Sequence, residues 1–172
     1  MNYPMEILIS RSAVENNIEL IRKIIGEEVR ISSVVKANAY GHGIEAYVPV
    51  VKKCGIDHFS VFSYNEAVQV YNIVKSSADI MIMGWIGPSQ MKDAVDKGIE
   101  FYVFNLERLT DALKAAKTLK KRAKIHLEVE TGMNRTGFSK KEFKEALQII
   151  SRNSKHFTIK GLCSHLAGPE SI

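Results

Sequence analysis

The segment SVVKANAYGHG, residues 33–43, decides how the rest of this chain is interpreted. Its apolar start, Val34 and Val35, is typical of a buried parallel strand, and Lys36 follows directly where that run ends. A lysine at the carboxyl end of a barrel strand lies at the face where such barrels carry their chemistry. Burial there would favour the neutral amine that attacks an aldehyde. Alternatively, Lys36 simply ends the strand and extends into solvent.

The composition is that of an ordinary globular chain, with 45% hydrophobic and 25% charged residues. The net charge of +5 is spread along the sequence, so we expect no nucleic-acid partner. Two cysteines, Cys54 and Cys163, are too few for a disulfide framework and favour a reducing, cytoplasmic location. Neither a signal segment nor an apolar run of membrane-spanning length is present in the sequence, so we expect no membrane association.

Strand and helix patterns alternate along the chain in six units, the last without its helix. This order predicts a parallel α/β sheet, and spacing alone leaves an open doubly wound sheet or a barrel possible. Gly41-His42-Gly43 lacks the third glycine of a dinucleotide-binding motif, which favours a (β/α)8 TIM-type barrel. The predicted strands cover residues 33–36, 58–63, 80–85, 101–104, 125–129 and 158–165.

Two capping boxes predict helix starts, Ser12 with Glu15 and Ser139 with Glu142. Residues 5–10 alternate weakly and predict a short strand outside the main repeat. The 172 residues are fewer than the about 250 of a complete barrel. We therefore expect residues 1–172 to be the amino-terminal part of a barrel in a longer protein, supplying about six of its strands.

A second chemical segment is EVETGMNRTGF, residues 128–138, at the end of the predicted fifth strand. Glu128 and Glu130 share one face of that strand, and a turn returns Arg135 over its end. An arginine fixed there would pair with a carboxylate or phenolate in a forked geometry that lysine does not offer. A surface turn with an ordinary ion pair fits the residues equally well.

The third segment is SHLA, residues 164–167, at the end of the predicted sixth strand. Its histidine, His165, would stand at the same end of the barrel as Lys36 and Arg135, although a structural histidine fits too. Cys163, His165 and His126 could lie near one another. However, no paired cysteines or HExxH arrangement supports zinc, and we expect no metal.

Together, VVKANAYGHG, TGMNRTG and SHLA resemble the motifs of the amino-terminal barrel of alanine racemases, fold-type III enzymes that use pyridoxal 5'-phosphate. The resemblance extends through the whole chain in strand order. It implies that Lys36 binds the cofactor covalently and acts as one of two catalytic bases, and that Tyr40 donates to the cofactor phosphate. It also implies that Arg135 contacts the phenolic oxygen and the substrate carboxylate, and that His165 supports the cofactor ring.

The resemblance carries departures as well. In many family members the position of Glu128 is a lysine that becomes carbamylated and braces the arginine, whereas here a glutamate already supplies a carboxylate. The second base of the family is a tyrosine of a carboxyl-terminal β domain, contributed by the partner subunit of a homodimer. The resemblance thus implies a parent protein that interconverts L- and D-alanine for peptidoglycan synthesis, and a 172-residue chain that is inactive alone.

Other functions remain open at this point. Single-domain pyridoxal-phosphate homeostasis proteins share the barrel and would bind the cofactor without catalysis, although their lysine lies in a different local sequence. A racemase of another small amino acid, such as serine, is also possible, because these motifs supply only one wall of the substrate pocket. A scaffold without any cofactor is the third alternative.

Overall fold

The computed structural model describes residues 6–168 and divides the chain into two compact units. The first unit ends at Met81 and the second begins at Ile82. Each unit has its own strands, helices and buried apolar side chains. The α/β class expected from the alternating pattern is confirmed, with six parallel strands that alternate with helices within the described residues.

In the first unit the strands lie in chain order, with β2 between β1 and β3 and with β1 parallel to β2. The unit boundary falls within β3. The elements are α1 (Arg11–Ile25), β1 (Ser33–Val34), the short helical segment α2 (Lys36–Tyr40), α3 (Ile44–Lys53), β2 (His58–Val61), α4 (Tyr64–Val74) and β3 (Asp79–Ile82).

The first unit buries apolar residues where its helices cover its strands, including Val48 and Val51 of α3, Phe59 of β2 and Val70 of α4. These side chains recur at helical and strand spacing, which is why the sequence pattern located the elements correctly. Helix α3 begins just after Gly43 and ends just before Cys54.

The start of the chain differs from the prediction in two ways. Helix α1 is capped by Ser10, whose hydroxyl accepts from the Ala13 amide, so the predicted cap at Ser12 is wrong. Glu15 instead pairs with Arg11 one turn earlier, at 2.9 Å. Residues 6–10 form no strand, and Met5 lies outside the described residues.

In the second unit β4, β5 and β6 are parallel and adjacent in that order. The β5–β6 pairing shifts register between Ile125 and His126, as a β-bulge does. Its elements are α5 (Pro88–Lys97), β4 (Glu100–Val103), α6 (Leu106–Leu119), β5 (Ala123–Glu128), α7 (Lys140–Arg152), a 3-10 turn (Ser154–His156) and β6 (Phe157–Cys163).

The capping box predicted at Ser139 and Glu142 is confirmed at the start of α7. Strands β1 and β6 end earlier than the sequence predicted, so Lys36 and His165 lie in the segments that follow the strands. Among residues 6–168, none of the helices combines the length and the hydrophobicity that a membrane-spanning segment requires.

Arg108 of α6 is a buried cation that holds the chain around it, with only 3% of its surface exposed. Its guanidinium donates to the carbonyl oxygens of Gly84 at 3.0 Å, of Ile86 at 3.3 Å and of Tyr102. The guanidinium carbon also lies 5.0 Å from the centroid of the Phe104 ring. Burial lowers the pKa of Arg108 to about 10, so the side chain remains charged near neutrality.

Replacing Arg108 with methionine should lower the free energy of unfolding by about 3 kcal/mol, because three carbonyl oxygens lose their donor. Urea denaturation followed by circular dichroism measures the change. Arg152→Met, at an exposed position of α7, is the matched control and should change the free energy by less than about 0.5 kcal/mol. Equal effects of the two substitutions would contradict the role given to Arg108.

Candidate active site

The lysine segment of the first unit has a backbone that the sequence did not predict. Val35 is fully buried and donates its amide to the Ser60 carbonyl at 2.8 Å, which fixes the chain at the end of β1. After Lys36 the next four residues all have positive φ, between 52° and 55°. Glycine is the usual residue in this left-handed region, and here all four residues carry side chains.

A left-handed backbone costs L-residues roughly 1–2 kcal/mol each, so the neighbouring groups must hold it. The Asn38 carboxamide oxygen accepts from the Ile44 amide at 2.9 Å, which also caps the start of α3. The Asn38 carbonyl accepts from the Gly43 amide at 2.9 Å, and His42 Nδ1 lies 2.9 Å from the Ala39 carbonyl. Asn38 therefore joins the lysine segment to the following helix.

Glu66 is the residue at this site that the sequence analysis missed. Its Oε1 accepts from the Ala37 amide at 2.7 Å, and its Oε2 accepts from the amides of Phe62 and Ser63 at 3.1 and 2.9 Å. The capping box of Ser63 with Glu66 could have been read from the sequence. The bond to Ala37 could not, because 29 residues separate the two.

The two proposed cofactor residues of the first unit lie in this one segment. Lys36 is half-buried, whereas a lysine at the end of a buried strand is expected to be buried. Strand β1 ends at Val34, two residues before Lys36. Tyr40 has 61% of its surface exposed, so its phenol is accessible. The segment thus presents an amine and a hydroxyl four residues apart in the chain.

In the second unit, Arg135 lies in a turn whose amides converge on a carboxylate. Glu130 Oε1 accepts from the Gly132 amide, and Oε2 lies 3.4 Å from the Arg135 amide. Hydrogen bonds from the backbone, from Asn134 first and then Gly132, hold the pKa of Glu130 below its usual value. The turn is therefore organised around the Glu130 carboxylate, while the Arg135 side chain is exposed.

Gly137 closes this turn against the end of β5. A Cβ on Gly137 would lie 2.5 Å from the Glu130 amide nitrogen and 2.7 Å from the Val129 carbonyl carbon, and φ is 123°. Both the space and the backbone angle therefore require glycine. The neighbouring amide of Phe138 donates to the Glu128 carbonyl at 2.8 Å.

The expected pairing of Glu128 with Arg135 is not made in this structure. Glu128 is buried at the end of β5, and its Oε1 accepts from the Thr136 hydroxyl at 3.2 Å. Thr136 is the next residue after Arg135, and the Arg135 side chain is exposed. Glu128 therefore contacts the arginine turn through a hydroxyl instead of an ion pair.

His165 lies two residues beyond the end of β6 and is exposed. The segment that carries it is joined to the arginine turn by a hydrogen bond between the hydroxyls of Ser164 and Thr131, and by the Val129 amide, which donates to the Cys163 carbonyl at 2.9 Å. The structure thus brings the turn of Arg135 and the segment of His165 together within the second unit.

His126 pairs with the buried carboxylate of Glu100. Its Nε2 lies 2.6 Å from Glu100 Oε2, and Lys160 Nζ lies 2.9 Å from Glu100 Oε1. Burial raises the pKa of Cys163 to about 11, which keeps the thiol protonated and opposes metal binding. Within the described part of the chain, no three of the histidine, cysteine and acidic side chains form a group that could hold a metal ion.

The chain is similar to alanine racemases in sequence and in structure. A relative from Caldanaerobacter subterraneus subsp. tengcongensis, alanine racemase 2, is 32% identical over 168 residues, which cover 95% of this chain and 42% of the relative. The alanine racemase of Oenococcus oeni superposes with a TM-score of 0.82 at 29% identity, covering 94% of this chain and 47% of that one.

A third relative, the alanine racemase of Bacillus anthracis with bound L-Ala-P, superposes with a TM-score of 0.80 at 26% identity, covering 91% of this chain and 40% of that one. The chain thus spans less than half the length of the proteins it matches. These superpositions confirm the predicted barrel-type α/β fold, of which the chain forms six strands in its described part.

The family model described as alanine racemase, N-terminal domain, matches residues 9–171, which is nearly the whole chain. The resemblance carried by the three motifs is thereby confirmed, and the chain belongs to the alanine racemase N-terminal domain family.

Proposed function

We propose that this chain is the cofactor-binding part of an alanine racemase, which interconverts L- and D-alanine with pyridoxal phosphate. The observation that carries the proposal is the Lys36–Tyr40 segment. Its first residue, Lys36, has a half-buried side chain, and the left-handed backbone that follows is held by hydrogen bonds to neighbouring residues. Membership of the alanine racemase N-terminal family supports it. So does the relative with bound L-Ala-P, whose ligand points to a small amino acid as substrate.

The side chains present fit pyridoxal phosphate. The Lys36 amine can bond to its aldehyde, and the half-buried position leaves that amine within reach of a small molecule. The exposed phenol of Tyr40 can donate to a phosphate oxygen. When bound, the cofactor supplies an electron sink that stabilises negative charge on the α-carbon of an amino acid.

The proposed roles are those that the family resemblance implies, and the chemistry of each group is compatible with them. Lys36 would hold the cofactor covalently in the resting protein, and its Nζ, once displaced from the cofactor by the substrate amine, would accept and return the α-carbon proton on one face of the substrate. Arg135 binds the substrate carboxylate and the cofactor's phenolic oxygen through its planar guanidinium. His165 adds a hydrogen-bonding imidazole to the surroundings of the cofactor. Glu128 supports the turn of Arg135 through Thr136.

The rest of the reaction needs groups beyond these motifs. Racemisation requires a base on each face of the α-carbon, and the three motifs supply one, Lys36. We assign the second base to a tyrosine from the partner subunit of a homodimer, in line with the resemblance. Residues 1–172 then form the amino-terminal part of the barrel of a longer cytoplasmic protein, completed by further strands and a carboxyl-terminal β domain.

Borohydride reduction of the protein in the presence of pyridoxal phosphate should attach the label to Lys36, because that amine is placed to bond to the aldehyde. Peptide mass analysis locates the label. Lys36→Arg should abolish labelling of this peptide, whereas Lys53→Arg, an exposed lysine of the same unit, should leave it intact. Preferential labelling of any other lysine would contradict the assignment.

Thr136→Val should raise the KM for alanine of the parent racemase by about three- to tenfold, with a smaller effect on kcat, because the turn of Arg135 loses its bond to a buried carboxylate. Steady-state kinetics measures both constants. Thr118→Val, which removes an exposed hydroxyl from α6, is the control and should leave them unchanged.

Added bicarbonate should not change these kinetics, because the carboxylate belongs to Glu128 and needs no carbamylation. Activation by bicarbonate would contradict the role of Glu128. Unchanged KM in Thr136→Val would contradict the role of the threonine.

The purified 172-residue chain should bind pyridoxal phosphate weakly and form D-alanine at a negligible rate, because loss of one base typically costs orders of magnitude in rate. An assay coupled to a D-amino acid oxidase detects the product. Rapid racemisation by this chain alone would overturn the assignment of the second base to a partner.

A further inference from the structure

Glu66 connects three parts of the first unit through one carboxylate. Its Oε2 accepts from the amides of Phe62 and Ser63, at the end of β2 and the start of α4. Its Oε1 accepts from the Ala37 amide at 2.7 Å, which is shorter than the two capping contacts. A helix cap requires the Oε2 contacts alone, so the Ala37 bond is an additional function of this side chain.

The Ala37 amide is the nitrogen of the peptide group that begins at the Lys36 carbonyl. Because a peptide group is planar, holding that nitrogen restrains the position of the Lys36 Cα, from which the lysine side chain extends. The residues from Ala37 to Tyr40 have φ between 52° and 55°, a conformation that needs support from outside the segment. Glu66 supplies that support at the first of these residues.

The carboxylate form of Glu66 suits this arrangement. Burial alone would raise the pKa of Glu66, but hydrogen bonds from the backbone of Ser63, Ala37 and Phe62 outweigh it, and the pKa lies below its usual value. A glutamine side chain has one acceptor oxygen, and its NH2 group would face a backbone N–H, either that of Ala37 or those of Phe62 and Ser63. Glutamine therefore cannot keep both the cap and the bond to Ala37.

We infer that Glu66 is a positioning residue for Lys36, which holds the left-handed segment so that the lysine amine is presented to an aldehyde. The inference rests on the proposed function. In the reaction concerned, the Lys36 nitrogen attacks the aldehyde carbon, a carbon–nitrogen double bond forms, and the aldehyde oxygen leaves as water. Borohydride then delivers hydride to that carbon and water supplies a proton to the nitrogen, which leaves a stable secondary amine.

The chain offers a matched control for the test. Glu142 forms the same kind of capping box with Ser139 at the start of α7, accepting from its amide at 3.1 Å and from its hydroxyl at 2.6 Å. Among the described residues its side-chain hydrogen bonds go to Ser139 alone. Glu142→Gln therefore disturbs a cap without disturbing a second segment.

The experiment compares Glu66→Gln, Glu142→Gln and the unchanged chain, each as part of the full-length parent protein, by two measurements. Amide hydrogen exchange of Ala37 is measured relative to Val35, whose amide bonds to the Ser60 carbonyl. The rate at which pyridoxal phosphate and borohydride label Lys36 is measured relative to the other lysines. Glu66→Asp keeps the charge but is too short to reach both sides, and it replaces Glu66→Gln if that variant does not fold.

We expect exchange at Ala37 to increase about tenfold or more in Glu66→Gln, with Val35 unchanged, because a bond to a charged acceptor is lost. Labelling of Lys36 should slow by a similar factor. Glu142→Gln should change neither ratio. If Ala37 exchange is unchanged in Glu66→Gln, or if it increases while Lys36 labelling is unaffected, the inference is overturned.

Failure of the proposed function would look different. If Lys36 of the unchanged chain is not labelled in preference to the other lysines, the cofactor assignment itself is wrong, whatever the variants do. The unchanged chain therefore tests the function, and the ratio between the variants tests Glu66.

Discussion

The left-handed backbone after Lys36 is the constraint on which the first unit's candidate site depends. The four residues 37–40 carry side chains and adopt a left-handed conformation that is unfavourable for them. The segment is therefore stable only if contacts with its surroundings offset this conformational free energy. Buried Val35 fixes one end and Asn38 joins the other to α3. Glu66 holds the first left-handed residue. These contacts present Lys36 and Tyr40 from one short stretch of chain.

In the second unit, a carboxylate likewise accepts hydrogen bonds from irregular backbone, at the turn that contains Arg135. Glu130 gathers the amides of the turn, Gly137 lets the chain pass against the end of β5, and Thr136 reaches the buried Glu128. In both units, irregular backbone that carries a proposed functional side chain is therefore organised by a nearby carboxylate. Carboxylates suit this role because each oxygen accepts more than one hydrogen bond.

Two buried charged side chains of the second unit, Glu100 and Arg108, are held by partners within that unit. Glu100 is fully buried and lies between His126 and Lys160. Arg108 holds three carbonyl oxygens, including two from the chain just after β3. Removing one partner from such a group leaves a desolvated charge or carbonyl, which is costlier than the loss of an exposed ion pair. Arg108 therefore fixes the chain that follows β3, and Glu100 joins β4 to β5 and β6.

The alternation of strands and helices, the start of α7 at Ser139 and the family could all be predicted from the sequence, because periodicity, capping and motif spacing are local properties. The sequence did not determine the left-handed segment after Lys36, the bond from Glu66 to Ala37, or the exchange of Arg135 for Thr136 as the partner of Glu128. Those features depend on contacts between residues that are distant in sequence or on the path of a turn. Only the tertiary structure decides such contacts, because local propensity alone favours neither a left-handed alanine nor a particular partner for a buried carboxylate.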